Sequence, residues 1–274
     1  MKAMETEQIS LQRGNFKLES ISSSFPKGQI TTIIGPNGSG KSTLLNIITR
    51  LQPSDTGNVS INGKASKQYK TKEFAKTVTM LPQSKDLLLH LTVKELVSYG
   101  RSPYQKKFAR NVSSDDEAII NWAMEVTSTK PHADQMYHTL SGGEQQKARI
   151  AMALAQKTDI LLLDEPTTFL DIAHQFDVLE ILQQINKQYN ITIVMVLHDL
   201  QQAVFFSNYL IAMKSGKIVT TGSPESVLTS SFLKEVYEID AKIKYEDDYP
   251  IIIPVTNKKK SVHAPQQNRI EKYV

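Results

Sequence analysis

Residues 35–42 read Gly35-Pro36-Asn37-Gly38-Ser39-Gly40-Lys41-Ser42, the spacing G-x-x-x-x-G-K-[ST]. Glycines at these places let the backbone curl until successive N–H groups aim at one anion. A helix opening near Lys41 adds the positive end of its dipole. Lys41 supplies an ammonium for β- and γ-phosphates, and Ser42, followed by Thr43, can set its hydroxyl on Mg²⁺. The bland alternative is a flexible glycine turn. It loses because a β-branched strand, Ile30 to Ile34, runs into the segment and the helical pattern LLNIITR leaves it.

A second cluster closes another apolar run. Leu161-Leu162-Leu163 ends in Asp164-Glu165-Pro166. In open α/β sheets, ligands gather at the carboxyl ends of strands, which places both carboxylates near the phosphate loop. Asp164 suits Mg²⁺, directly or through its water. Glu165 can orient or deprotonate an attacking water. By itself such a dipeptide would be a solvated acidic turn.

A third feature is Leu140-Ser141-Gly142-Gly143-Glu144, the start of a helix predicted to run to Gln156. Ser141 and Glu144 have capping-box spacing. A cap does not call for two glycines, each of which costs roughly 1 kcal/mol in a helix relative to alanine. Gly142 and Gly143 make sense where an anion approaches the backbone. One chain thus carries two anion-binding helix starts, which hints at a site shared between two copies.

These residues need a scaffold, and the pattern supplies one. Strands at 30–34, 59–61 and 78–81 are followed by helical periodicity from Ser84 to about Lys157 (VKELVSYGR, DDEAIINWAMEV, QQKARIAMALAQ). Strands then return as ILLLD, ITIVMVL and YLIAM, with helices between them. Apolar strands alternating with helices predict a parallel sheet covered on both faces. Beyond Gly222 come short helical pieces, a strand-like YPIIIPV and a basic tail. The expected division is an α/β domain carrying the phosphate loop over 1–222, with a helical part of about 84–157 inserted, and an extension over 223–274.

Composition narrows the class. Among 274 residues there is no cysteine, which removes disulfide scaffolds and thiolate chemistry. Hydrophobic residues make up 40%, enough to close a core. The apolar runs are strand-sized, well short of the roughly 18–20 residues a membrane span needs. No secretory h-region opens the sequence, so a cytoplasmic chain is expected. The net charge of +4 permits an acidic partner without demanding one.

In that order, GPNGSGKST, LSGGEQQ and LLLDEPTTFLD resemble the nucleotide-binding subunits of ATP-binding cassette transporters, from about Ile9 to Gly222. The resemblance implies an α/β P-loop NTPase core with an antiparallel β subdomain and an inserted α-helical subdomain. It implies a head-to-tail homodimer in which ATP and Mg²⁺ lie between one phosphate loop and the partner's Ser141-Gly142-Gly143-Glu144. It implies Glu165 as catalytic base, Gln83 as sensor of γ-phosphate and metal, and His198 as the switch histidine. Ser42, Gln83 and Asp164 would serve Mg²⁺, and the stretch from Thr168 to Asp171 would cross the dimer interface.

Glu144 replaces the family's usual glutamine, and QQKAR is less arginine-rich than usual. Arg13 aligns with the aromatic residue that stacks on adenine, with Phe16 as the competing candidate. YGRSPYQ, LDIAHQ and the DL-QQA run resemble the branch that imports iron–siderophore complexes, with haem and cobalamin importers as near relatives. That branch implies two transmembrane permease subunits, an extracytoplasmic binding protein, and a peripheral place on the cytoplasmic face of the membrane. A soluble cassette ATPase on nucleic acid or the ribosome is the rival reading. Such proteins usually carry two cassettes or a long coiled-coil insertion, so no nucleic acid partner is expected.

Overall fold

The computed structural model describes residues 1–83, 90–105 and 113–255. The predicted boundary at Ser84 and the basic tail lie outside these residues. The chain opens with a long hairpin, β1 (Lys2–Arg13) and β2 (Phe16–Pro26). β2 buries Leu18, Ile21 and Phe25 and leaves Lys17, Glu19 and Ser20 to the other side. β3 (Ile30–Ile34) feeds the phosphate loop, and α1 (Lys41–Ile48) leaves it. β4 (Thr56–Ile61) and β5 (Lys64–Ala65) return beside β1, giving an antiparallel sheet in the order β2-β1-β4-β5.

After α2 (Thr71–Ala75) and β6 (Val78–Leu81) the chain becomes helical, with α3 (Val93–Ser98), α4 (Ser114–Val126) and α5 (Gly142–Ala155). Each of these three starts at a serine or threonine whose hydroxyl accepts a backbone N–H, the usual remedy for the unpaired amides of a helix start. The α/β alternation then resumes: β7 (Ile160–Asp164), α6 (Ile172–Tyr189), β8 (Thr192–Val196), α7 (Leu200–Phe206), β9 (Tyr209–Lys214) and β10 (Lys217–Gly222). The extension holds α8 (Pro224–Val227), α9 (Ser230–Tyr237) and a hairpin of β11 (Ala241–Glu246) and β12 (Tyr249–Pro254). Of the two strands in that hairpin, only β12 is legible in the sequence. β11 alternates charged residues outward and leaves no apolar run.

The central sheet has the order β10-β9-β3-β8-β7-β6, parallel except for the edge strand β10. Every residue of β3, β7 and β8 is buried. The reason is cover on both faces. Leu161 and Leu163 pack with the helical side, among Leu154, Leu179 and Leu182. Ile160 and Leu162 pack with α1 and the antiparallel sheet, among Leu44, Leu45 and Phe25. Full burial of each such side chain contributes about 1.5–3 kcal/mol.

Sheet order decides the site. Reading across the neighbours β3, β8, β7 and β6, the carboxyl ends emit in turn the phosphate loop, His198, Asp164-Glu165 and Gln83. Residues far apart in the chain therefore converge along one rim.

Candidate functional site

The phosphate loop is held from behind. A Cβ on Gly35 would collide with the Met213 carbonyl of β9, so no side chain fits. Gly40 sits at the N-cap of α1 with φ 102°, a left-handed conformation that L side chains avoid, and α1 has no side-chain cap. The first amides of α1 are thereby left for an external acceptor. Lys41 is 5% exposed, and its Nζ donates to the carbonyls of Gly35 at 2.8 Å and Pro36 at 3.1 Å. Burial pulls its pKa below the ordinary lysine value, while Glu165 and Asp164 pull it back. Ser39 is buried with an Oγ that has no hydrogen-bond partner.

Across from the loop, the Ser42 hydroxyl donates to Asp164 Oδ1 at 2.9 Å. Asp164 is 7% exposed, and its pKa is raised, chiefly by desolvation and further by Glu165, against the Ser42 bond and Lys41. Such a buried, desolvated carboxylate next to a hydroxyl fits a divalent cation. Glu165 has φ 52°, so it turns away from its neighbour although the two are adjacent. Its Oε2 accepts from Gln83 Nε2 at 2.5 Å and from Thr168 Oγ1 at 3.0 Å, while Oε1 contacts His198 Nε2.

These groups share one open cavity of about 460 Å³, lined by Phe16, Asn37, Gly38, Gly40, Lys41, Ser42, Thr43, Gln83, Glu165 and His198. The volume and the polar lining fit a nucleotide triphosphate tail. Arg13 is absent from that lining. Its guanidinium donates to the Gln12 carbonyl at 2.6 Å and pairs with Asp55 at 3.0 Å on the exposed turn of the first hairpin. Phe16, the competing candidate, borders the cavity beside Gly40.

Ser141 to Glu144 do not line this cavity. Ser141 caps α5 in a reciprocal box with Glu144, whose carboxyl is held below its ordinary pKa by the Ser141 hydroxyl and amide. The two glycines divide. A Cβ on Gly143 would stand 2.5 Å from the His174 ring of α6, whereas Gly142 is exposed and has only Leu170 within 4 Å. Packing inside the chain thus gives a second reason for glycine at 143, beside the expected approach of an anion to its backbone. Gly142 keeps the anion as its reason. Asp171, at the end of the loop that follows Glu165, caps α6 by accepting from the His174 amide at 3.0 Å.

Two residues take roles that the sequence does not show. Thr168, expected at the crossing loop, has a hydroxyl that grips Glu165. His174, the histidine of LDIAHQ, closes over Gly143. Neither carries a local signal, because both act through contacts with another segment or a neighbouring turn.

A strand–phosphate loop–helix unit beside strand-end carboxylates and a histidine defines a P-loop nucleotide-hydrolysing ATPase. The family model described as ABC transporter matches residues 18–168, and the chain belongs to that family. It is 47% identical, over 89% of its length and 90% of the relative's, to the iron(3+)-hydroxamate import ATP-binding protein FhuC of Bacillus subtilis (strain 168). It is 42% identical, over 91% of its length and 93% of the relative's, to the ferric enterobactin transport ATP-binding protein FepC of Escherichia coli (strain K12). Among solved structures it resembles the dimeric post-hydrolysis state of the ATP-binding cassette MJ0796 bound to ADP and Pi (TM-score 0.68, 27% identity, 81% of this chain and 98% of that one).

Proposed function

We propose that this chain is the ATP-hydrolysing subunit that energises import of iron–siderophore complexes through a separate membrane permease. The observation that carries the reading is the convergence of Lys41, Ser42, Gln83, Glu165 and His198 on one cavity, with Asp164 hydrogen-bonded to Ser42. The printed names of the relatives supply the cargo class.

Lys41 and the open amides of α1 hold the phosphates. Ser42, Asp164 and Gln83 would hold Mg²⁺, which supplies charge neutralisation on the β- and γ-oxygens when bound. Lys41 leaves the Gly35 and Pro36 carbonyls to meet phosphate, exchanging neutral acceptors for charged ones. Glu165, released from its resting partners, accepts a proton from the attacking water. Gln83 and His198, which hold Glu165 at rest, turn to the γ-phosphate, so the base becomes free only when nucleotide claims its partners. Phe16 is the adenine-facing aromatic candidate, with Arg13 as the alternative. Ser141, Gly142, Gly143 and Glu144 face the nucleotide of a second copy across a head-to-tail homodimer, with Asp171 at the crossing loop. Residues 1–222 form the ATPase unit and 223–274 an extension. Two permease subunits and an extracytoplasmic siderophore-binding protein complete the importer, with this chain peripheral on the cytoplasmic face. Among the described residues no helix is long and apolar enough to cross a membrane, in keeping with a separate permease.

Two measurements test the reading. Glu165→Gln should bind MgATP with affinity within about threefold of wild type while kcat falls about 100-fold or more; undiminished turnover sinks the base assignment. Cells lacking the chain should lose uptake of ⁵⁵Fe-labelled ferric hydroxamate and regain it with the intact gene. Normal iron uptake with a lost haem or cobalamin uptake would move the cargo to the neighbouring class.

A further inference from the structure

Arginine is rarely enclosed without a partner that needs it. Arg149 lies about two turns beyond Gly142 on α5 and is 8% exposed. Its Nη2 donates to the Pro82 carbonyl at 2.5 Å, and its Nη1 donates to Oε1 of Gln146 at 3.2 Å. Gln146 is itself 5% exposed, so the fork is braced within its own helix before it reaches across. Buried Tyr137 lies near enough for the guanidinium charge to act on its phenol, whose pKa burial raises.

Pro82 has no N–H, so its carbonyl is its one strong polar handle. That carbonyl and the Gln83 amide belong to a single rigid peptide plane. Fixing the oxygen fixes the direction in which Gln83 leaves β6. Gln83 then reaches 2.5 Å to Glu165. A polar path therefore runs from the helix that begins at Ser141, through Arg149 and the Pro82–Gln83 peptide, to the candidate base.

We propose that Arg149 is a positioning residue that makes the placement of Gln83 against Glu165 depend on the position of α5. The inference rests on the ATPase reading above. In a head-to-tail pair, the start of α5 answers to the partner's nucleotide, while Gln83 and Glu165 serve the chain's own. Arg149 gives one chain a link between the two sites. Motion of α5 by an ångström would break or remake a short charge-assisted bond at the Pro82–Gln83 peptide.

The test is a double-mutant cycle on the full chain, with Arg149→Met, Gln83→Ala and the pair, read as kcat and KM for MgATP and as Tm. Contacting residues in one network couple, whereas independent residues add. Arg149→Met should lower kcat about tenfold with KM within about twofold, and should add little once Gln83 is alanine. Arg149→Lys keeps the cation but loses the planar fork and should recover part of the loss. Should Arg149→Met melt below the assay temperature, Arg149→Lys carries the same cycle. Losses that multiply in the double variant overturn the proposal, as does a kcat loss that merely tracks Tm. A wild-type chain that hydrolyses no MgATP would instead refute the ATPase reading, so the two failures are distinguishable.

Discussion

Asp164 and Glu165 are neighbours in sequence with opposite environments. Glu165 is gripped by Gln83, Thr168 and His198. Asp164 is buried beside Ser42, and desolvation raises its pKa. A carboxylate with a raised folded pKa binds more protons in the native than in the unfolded state. Stability therefore falls as pH rises from the ordinary aspartate value through the raised one, and the whole cost is present above the raised one. Asparagine keeps the acceptor for Ser42 and removes the buried charge. Asp164→Asn should raise Tm at pH 7.5, with the gain shrinking toward pH 4, and should abolish Mg²⁺-dependent stabilisation by ATP. A variant less stable at every pH would show that attraction to Lys41 outweighs desolvation. At the other end of the cavity, Phe16→Ala should weaken ATP about tenfold while leaving inorganic triphosphate nearly unchanged, since base stacking is worth about 1–3 kcal/mol. Arg13→Ala should change neither, because Asp55 already occupies its guanidinium. Calorimetry with both ligands separates the two candidates. The phosphate loop and carboxylates were legible because each is contiguous and follows an apolar strand. The adenine contact was not, because the first hairpin has no contiguous signature and its side-chain directions depend on register shifts in the pairing of β1 with β2.

At the scale of elements, the parallel strands announced themselves as unbroken apolar runs, which is what burial on both faces demands. Their order did not. That β8 lies between β3 and β7 follows from tertiary pairing, and it puts His198 beside Glu165. Gln83 and His198 entered only through family resemblance for this reason. The second helix start shows the same limit. Ser141-Gly142-Gly143-Glu144 reads as one anion-binding unit, and the packing of His174 against Gly143 is a further demand that the pattern does not show. The two glycines should therefore separate experimentally. Gly143→Ala meets a packed ring and should destabilise by about 1–3 kcal/mol, the usual cost of overpacking. Gly142→Ala meets only Leu170, at an ordinary contact distance of 3.6 Å, and should cost little. Thermal unfolding should rank them in that order. Hydrolysis should nonetheless fall for Gly142→Ala, because a methyl group then stands where the partner's nucleotide must approach. Equal melting temperatures would refute the division of roles.

For the whole molecule, the geometry leaves one half of the chemistry without a counterpart inside the chain. Lys41, Glu165 and His198 share a cavity that Gly142 does not line. Next to the α5 start, the loop after Glu165 exposes Phe169 at 81% and the first residue of α6 exposes Ile172 at 73%, the apolar surface expected of an interface. A second copy related by a two-fold axis would bring each α5 start to the other copy's phosphate loop, as an isologous contact requires. Two disabled variants test this. Lys41→Ala removes the phosphate grip but leaves α5 intact. Gly142→Asp places a carboxylate where a phosphate should sit, and its Lys41 remains sound. If each chain were self-contained, Gly142→Asp would hydrolyse ATP as well as wild type. In the shared arrangement each variant alone should be inactive. Their mixture should regain hydrolysis, because a mixed pair contains one site with Lys41 from one chain and Gly142 from the other. Random pairing makes half the dimers mixed, each with one sound site of two, so recovery should approach about a quarter of wild type for independent sites. Recovery that peaks at an equal ratio of the two variants, and vanishes when Phe169→Asp is added to both, would tie the shared site to this face of the molecule.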